Sequence, residues 1–210
     1  MMIVKQVPVT GAITTNAYFY IDDLTKHGFL IDPGSQADKL FKIITDNNWT
    51  IEKILLTHGH FDHIGAVNIL QKKLNIPCIA HTNCKQYLTN PEYNLSAWFA
   101  PNVTVSDFRS FPEGSEFSLS TNPKLKLQMI ATPGHTQDAV IYYDKDNHLA
   151  FVGDTIFKNS YGRTDIPGGD EAQLLQSITK KILTLPPETI LYSGHSAPTD
   201  VAAERDNFDL

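Results

Sequence analysis

The chain has 210 residues and a formal net charge of −6, with 41% hydrophobic and 19% charged residues. This is a globular composition, long enough for a sizeable core, and one domain over residues 1–210 is expected. The acidic balance disfavours a protein that coats nucleic acid or docks on an anionic membrane, and no apolar run reaches transmembrane length.

The opening Met1-Met2-Ile3-Val4-Lys5-Gln6-Val7 reads as a strand, without the charged, apolar and small-residue regions of a secretory signal. The two cysteines, Cys78 and Cys84, fit a reducing compartment, so a cytoplasmic location is expected. Cys78 lies in the apolar run Ile76-Pro77-Cys78-Ile79-Ala80 and reads as a small core residue, as does Cys84.

Residues 2–9, 16–21 and 28–32 alternate or run apolar and are expected to be strands. Asp32-Pro33-Gly34-Ser35 ends the third with turn chemistry, and Ser35 with Asp38 resembles a capping box for a helix through Ala37, Leu40, Phe41 and Ile44. Asp32 reads equally as a plain turn residue and as a partner for a nearby metal ligand. A strand over 51–56 then delivers Thr57-His58-Gly59-His60-Phe61-Asp62-His63, and a helix over 64–74 carries the chain away. That segment places three imidazoles and one carboxylate within the six residues 58–63. Neutral imidazole and carboxylate are ligands of zinc, iron and manganese.

A strand is expected over 76–81. Between 82 and 113 the pattern weakens, with breaks at Asn90-Pro91-Glu92 and Ala100-Pro101-Asn102. Its aromatic residues Tyr93, Trp98, Phe99, Phe108 and Phe111 suit either a self-packed loop or a flap over a site. Further strands are expected at 116–119, 124–131, 139–143, 148–152 and 189–192, and a helix at 170–185. The charged tail from Asp200 is expected to begin as a short helix. His81 has no ligand-type neighbour and reads as a surface or core histidine, while His27 and His148, in turn-like settings, read as non-ligands.

Four separate apolar runs each end in ligand-type residues: His58 and His60, then His135, Asp154 and His195. Strands whose carboxyl ends share one rim bring such residues together. Seven residues suffice for two divalent metals. His58, His60 and His135 would hold one, Asp62, His63 and His195 the other, and Asp154 would bridge them. Zinc is favoured, with iron or manganese as alternatives. Two such cations about 3.5–4 Å apart make a shared water a hydroxide near neutral pH, so hydrolysis needs no serine or cysteine nucleophile.

Thr57-His58-x-His60-x-Asp62-His63, Pro133-Gly134-His135-Thr136, Gly153-Asp154 and Gly194-His195 resemble the metal motifs of the metallo-β-lactamase superfamily. The resemblance implies a four-layer αββα sandwich, an α+β fold of two sheets between outer helices. Gly153-Asp154-Thr155-Ile156-Phe157, the stretch Tyr161 to Gly169, and Glu204-Arg205-x-Asn207 are similar to short bacterial glyoxalase II-like hydrolases, the hydroxyacylglutathione hydrolase group. This implies a thioesterase acting on a small-molecule thiol conjugate, without the C-terminal helical domain of full-length glyoxalase II. Asp62 would also orient the hydroxide, and Tyr161 and Arg163 are candidate substrate contacts. Arg163 reads equally as a partner of Asp165 or Asp170 that orders its loop. Gln137-Asp138 and Asn207-Phe208 depart from the group's pattern. The alternative is a persulfide dioxygenase with one iron on His58, His135 and Asp154, which resembles this chain in Gly162-Arg163-Thr164-Asp165. A metal-dependent lactonase or esterase is a further alternative.

Overall fold

A computed structural model describes residues 1–99 and 101–208; Ala100, in one of the expected breaks, and Asp209 and Leu210, in the tail, lie outside the described residues. The chain begins with β1 (Met2–Thr10), β2 (Thr14–Asp22), β3 (His27–Ile31), α1 (Ala37–Asp46) and β4 (Thr50–Leu55). It continues through α2 (Phe61–Ile64), α3 (Val67–Leu74), β5 (Cys78–His81), α4 (Lys85–Thr89), α5 (Ser96–Phe99) and β6 (Arg109–Phe111). The second half runs β7 (Glu116–Ser118), β8 (Lys126–Ala131), β9 (Val140–Asp144), β10 (Leu149–Gly153), β11 (Ile156–Phe157), β12 (Ser160–Tyr161), α6 (Glu171–Ser177), β13 (Ile190–Ser193), β14 (Thr199–Asp200) and α7 (Val201–Asn207).

The first sheet has the order β1-β2-β3-β4-β5-β6, antiparallel across β1–β3 and parallel from β3 onward. The second has the order β14-β13-β10-β9-β8-β7, with only β10 and β13 parallel. Strand β11 pairs with β12 in a small separate hairpin.

Alternation along the strands builds the layers. In β2, Tyr18 and Tyr20 face the second sheet, while Ala17, Phe19 and Ile21 pack with Leu40, Val67 and Leu70 of α1 and α3. In β10, Leu149 and Phe151 face the first sheet, while Ala150 and Val152 pack with Leu174 and Val201 of α6 and α7. Successive side chains of a strand point to opposite faces, so a strand buried on both faces must be apolar throughout. Three apolar layers therefore separate four layers of structure, and the fold is the αββα sandwich. Among the described residues no helix is long and apolar enough to cross a membrane.

Some expectations change. The helix over 64–74 is split: α2 starts at Phe61, and the chain breaks at Gly65-Ala66 before α3. The helix over 170–185 is α-helical only to Ser177 and then widens into a π-helical turn, Ile178–Ile182, with both isoleucines buried. The strand expected from 124 begins at Lys126, because residues 121–125 form a turn. The weak stretch 82–113 holds α4, α5 and the edge strand β6. His27 opens β3 rather than sitting in a turn, and its ring meets Glu52 at 2.8 Å.

The capping box is also corrected. Gln36 is the N-cap of α1, in a left-handed conformation with no side-chain cap. The preceding turn is pinned against α2: the Ala66 amide donates to the Pro33 carbonyl at 2.9 Å. A Cβ on Gly34 would sit 1.6 Å from the Asp62 carbonyl oxygen, so the chain reaches α1 by a path that carries Ser35 past the cap position.

Phe151 is fully buried between the sheets, against the rings of Tyr18, Tyr20 and Tyr192. Phe151→Ala is expected to cost about 3–5 kcal/mol, read as a lower urea midpoint at unchanged slope.

Candidate metal centre

Strands β8 and β10 both run antiparallel to β9, and β13 runs parallel to β10. Their carboxyl ends therefore share one rim, and His135, Asp154 and His195 follow them there. Across the sandwich, β4 ends at Leu55 and delivers His58 and His60, while the first turn of α2 carries Asp62 and His63. All seven residues expected from the sequence meet at this rim. Their ligand atoms fall into three overlapping groups: His58, His60 and His135; His58, His63 and Asp154; Asp62, His63 and His195.

The first group is tight. His60 Nδ1 lies 3.0 Å from His58 Nε2 and 3.0 Å from His135 Nε2. Tetrahedral zinc with nitrogens at about 2.0–2.1 Å would hold them about 3.3 Å apart, so the trio has the span one small cation needs. In the third group, His195 Nε2 lies 3.2 Å from Asp62 Oδ2, and His63 Nε2 lies 3.6 Å from it. Asp154 sits between the sets. Its Oδ1 is 3.3 Å from His63 Nε2, and its Oδ2 is 3.1 Å from His195 Nε2 and 3.7 Å from His135 Nε2.

Four of the five rings are turned by what holds the outer nitrogen; the outer Nε2 of His60 is buried with no hydrogen-bond partner among the described residues. His63 Nδ1 donates to Asp32 Oδ2 at 2.9 Å, His135 Nδ1 to the Arg163 carbonyl at 2.7 Å, and His195 Nδ1 to the Thr14 carbonyl at 2.9 Å. His58 Nδ1 meets Thr57 Oγ1 at 3.2 Å, and that hydroxyl donates to Asp32 Oδ2 at 2.6 Å. With the outer nitrogen donating, the neutral ring keeps its lone pair on the inner one. His63 Nε2 and Asp154 Oδ1 are buried and have no hydrogen-bond partner among the described residues. Buried polar atoms are normally satisfied, and a bound cation would satisfy both. The residues thus fit two divalent ions.

The charges agree. Burial, reinforced by the neighbouring rings, holds His58 and His60 well below the usual histidine range, and burial also lowers His135, so all three are neutral. Burial would push Asp62 up, but His63 and His195 outweigh it and bring it to about 2. Burial would likewise raise Asp154, yet the same two rings hold it well below the usual carboxylate range. Conversely, burial pulls His195 down, but Asp154 and Asp62 lift it to about 10. His63 is raised well above normal against burial by Asp154, Asp62 and Asp32. Without a metal, protons on His63 and His195 do the neutralising.

Two close contacts require glycine. A Cβ on Gly194 would meet Asp154 Oδ1 at 2.2 Å and His63 Cε1 at 2.7 Å. Gly153 has φ +51 and lies against Thr57, where a Cβ would be 2.3 Å from its hydroxyl.

Other contributors carry little local signal. Thr15 donates to Asp62 Oδ2 at 2.7 Å, while Tyr18 donates to the Ser193 carbonyl at 2.6 Å and steadies the turn into His195. Asp138 lies against Gly59, between two ligands, and burial pushes its carboxyl up to about 7. Asp32 was legible only as one of two readings; here it is buried and bonded to Thr57 and His63.

The rim opens into a cavity of about 400 Å³. Tyr161 and Arg163 line it, as do Leu95 and Phe99 from the segment expected to be a loop or flap. The Tyr161 hydroxyl donates to Glu171 at 3.1 Å. Arg163 makes two parallel bonds to Asp165, at 2.7 and 2.8 Å, and none to Asp170 among the described residues. His81 is buried at the end of β5, and neither it nor His27 or His148 joins the cluster. Cys78 and Cys84 are both buried.

The family model of the Metallo-beta-lactamase superfamily matches residues 10–195. A probable metallo-hydrolase, YqgX, of Bacillus subtilis (strain 168) is 40% identical over 203 residues, covering 96% of this chain and 94% of its own. The hydroxyacylglutathione hydrolase GloC of Haemophilus influenzae (strain ATCC 51907 / DSM 11121 / KW20 / Rd) is 30% identical over 207 residues, covering 97% and 95%. Among solved structures, the BLEG-1 B3 metallo-beta-lactamase superposes with a TM-score of 0.90 at 37% identity, covering 97% of each chain. TTHA1623 in a di-iron-bound form superposes with a TM-score of 0.82 at 32% identity, covering 96% of this chain and 98% of that one.

Two outcomes test the centre. Asp32→Asn keeps the shape but weakens the acceptor for His63, and metal affinity is expected to fall about 10–100-fold in chelator competition. Unchanged affinity would refute the role. Since His63 and His195 bind a metal only as neutral rings, zinc uptake at pH 7 is expected to release protons, and apparent affinity to fall as pH is lowered. A titration in weak buffer with a pH indicator measures the release, and none would contradict the assignment.

Proposed function

The chain is a metal-dependent hydrolase of the metallo-beta-lactamase superfamily, and on that premise we propose that it is a dinuclear thioesterase for S-acyl thiols such as hydroxyacylglutathione. The observation that carries this reading is the convergence of two ligand sets on Asp154 at the mouth of a largely apolar cavity. The likeness to GloC, whose name states hydroxyacylglutathione hydrolysis, supports the thioester.

His58, His60 and His135 would hold one ion and Asp62, His63 and His195 the other, with Asp154 between them. Zinc is the proposed metal; iron and manganese suit the same donors, and the likeness to a di-iron protein keeps iron in play. When bound, such a pair makes a shared water acidic and polarises a substrate carbonyl. The protein's own residues do the rest. Asp62 stays ionised, is steadied by the Thr15 hydroxyl, and offers an acceptor that orients the proton of the attacking water. Phe61, Leu95 and Phe99 restrict water around the acyl group. Tyr161 and Arg163 meet the polar thiol portion, Arg163 with the N–H groups that Asp165 leaves free.

The alternative, a mononuclear-iron dioxygenase, needs only His58, His135 and Asp154. It gives no work to the grouped Asp62, His63 and His195.

Protein purified without chelator and with its metal content measured is expected to turn over S-D-lactoylglutathione rapidly. In Asp62→Ala, kcat is expected to fall at least about 100-fold, with a much smaller change in KM. Unchanged turnover at full metal content would refute the role of Asp62. No turnover of that thioester by metallated wild type would refute the hydroxyacylglutathione assignment.

A further inference from the structure

A second cavity, of about 260 Å³, adjoins the first and shares Ile13, Phe61 and Asp62 with it. Its walls are mainly apolar, from Ala37, Ile69 and Val103 besides the shared residues. Asp62, placed in the centre described above, is the only charged residue in its lining among the described residues. Ser35 also lines it, and the Ser35 hydroxyl is buried with no hydrogen-bond partner among the described residues.

Large apolar side chains left in solvent are concentrated here. Ile13 is 40% exposed, Ile69 50% and Phe99 53%, and all three line one or both cavities. Trp98, beside Phe99 in sequence, is 59% exposed. Exposed apolar residues gathered around a concave, apolar opening mark a binding surface. Ser160, Tyr161 and Arg163, the polar residues of the first cavity's lining apart from the metal-centre side chains, are not among the described residues that line the second. A polar thiol carrier therefore has the arginine and tyrosine partners in the first cavity, and the second, mainly apolar, is open to an apolar arm that crosses at Ile13 and Phe61.

We propose that this second cavity is an acyl-chain subsite, so that the enzyme selects thioesters with medium-length aliphatic acyl groups over acetyl or lactoyl ones. The proposal rests on the thioesterase reading and deepens it. A methylene placed in a fitting apolar pocket strengthens transition-state binding severalfold, so the preference is built by length.

The test uses S-acyl-N-acetylcysteamine thioesters with acetyl, hexanoyl and decanoyl groups, on metallated wild type, Ala37→Phe and Ile69→Glu. Ala37→Phe fills the cavity, and Ile69→Glu, at its rim, puts a charge there with little risk to folding. In wild type, kcat/KM is expected to rise at least about tenfold from acetyl to hexanoyl. Both variants are expected to flatten that rise and to keep acetyl turnover. Binding of the non-hydrolysable S-decyl-N-acetylcysteamine thioether, followed by calorimetry, reads the cavity without chemistry and is expected to weaken at least about tenfold in each variant. If acetyl thioester is hydrolysed but rate and binding are flat with chain length, the subsite is overturned and the thioesterase stands. If no thioester is hydrolysed yet the thioether binds in a variant-sensitive way, the cavity stands and the thioesterase falls. Flat chain-length dependence with concentration-dependent dimerisation abolished by Ile69→Glu overturns the proposal in favour of a second copy as occupant.

Discussion

Five imidazole rings meet at one rim of the sandwich, four of them buried, and to hold metal every ring must turn a nitrogen without a proton toward its neighbours. Lone pairs brought within 3.0 Å of one another repel unless a cation or a shared proton lies between them. What enforces the arrangement is the set of acceptors behind four of the rings: Asp32, Thr57 and the carbonyls of Arg163 and Thr14. Asp32 carries the most. From the end of β3 it fixes the Thr57 amide and hydroxyl and the His63 ring, so it governs a ring in each ligand set. Its backbone takes φ +48, a conformation an Asp tolerates better than most residues. Deleting such a partner would free two rings at once.

The apolar layers make those positions exact enough to matter. β2, β9 and β10 are buried on both faces, and their alternate residues lock the sheets to each other and to the helices. Side chains leaving the strand ends therefore start from a rigid frame, the condition for preorganised ligands. The cavity is then completed by less regular pieces: the turn at Ile13, the short helix ending at Phe99, and the hairpin carrying Tyr161.

The clustering of the seven candidate ligands was legible because their signal is local. His58, His60, Asp62 and His63 lie within six residues, and the others each follow an apolar run. The αββα layering was expected from the resemblance that the metal motifs carry, and the apolar runs of strands buried on both faces agree with it. The partners behind the ligands were hidden by sequence distance. Thr15 reaches Asp62 across 47 positions and Asp32 reaches His63 across 31, so no local pattern could decide between a turn residue and a support. The Ser35–Asp38 capping pattern misled because packing of Gly34 against α2 overrides local preference. Strand β6, three residues at a sheet edge, is too short to show a period. The π-helical turn preserves the apolar face of a helix and so leaves no mark in the spacing.

The central claim is that two ions share Asp154 between two histidine sets. Anomalous diffraction from crystals of the zinc-loaded protein tests it most directly. Two peaks about 3.5–4 Å apart are predicted, one against His58, His60 and His135 and the other against Asp62, His63 and His195. A single peak at full zinc loading, or a second peak away from Asp154, would contradict the account.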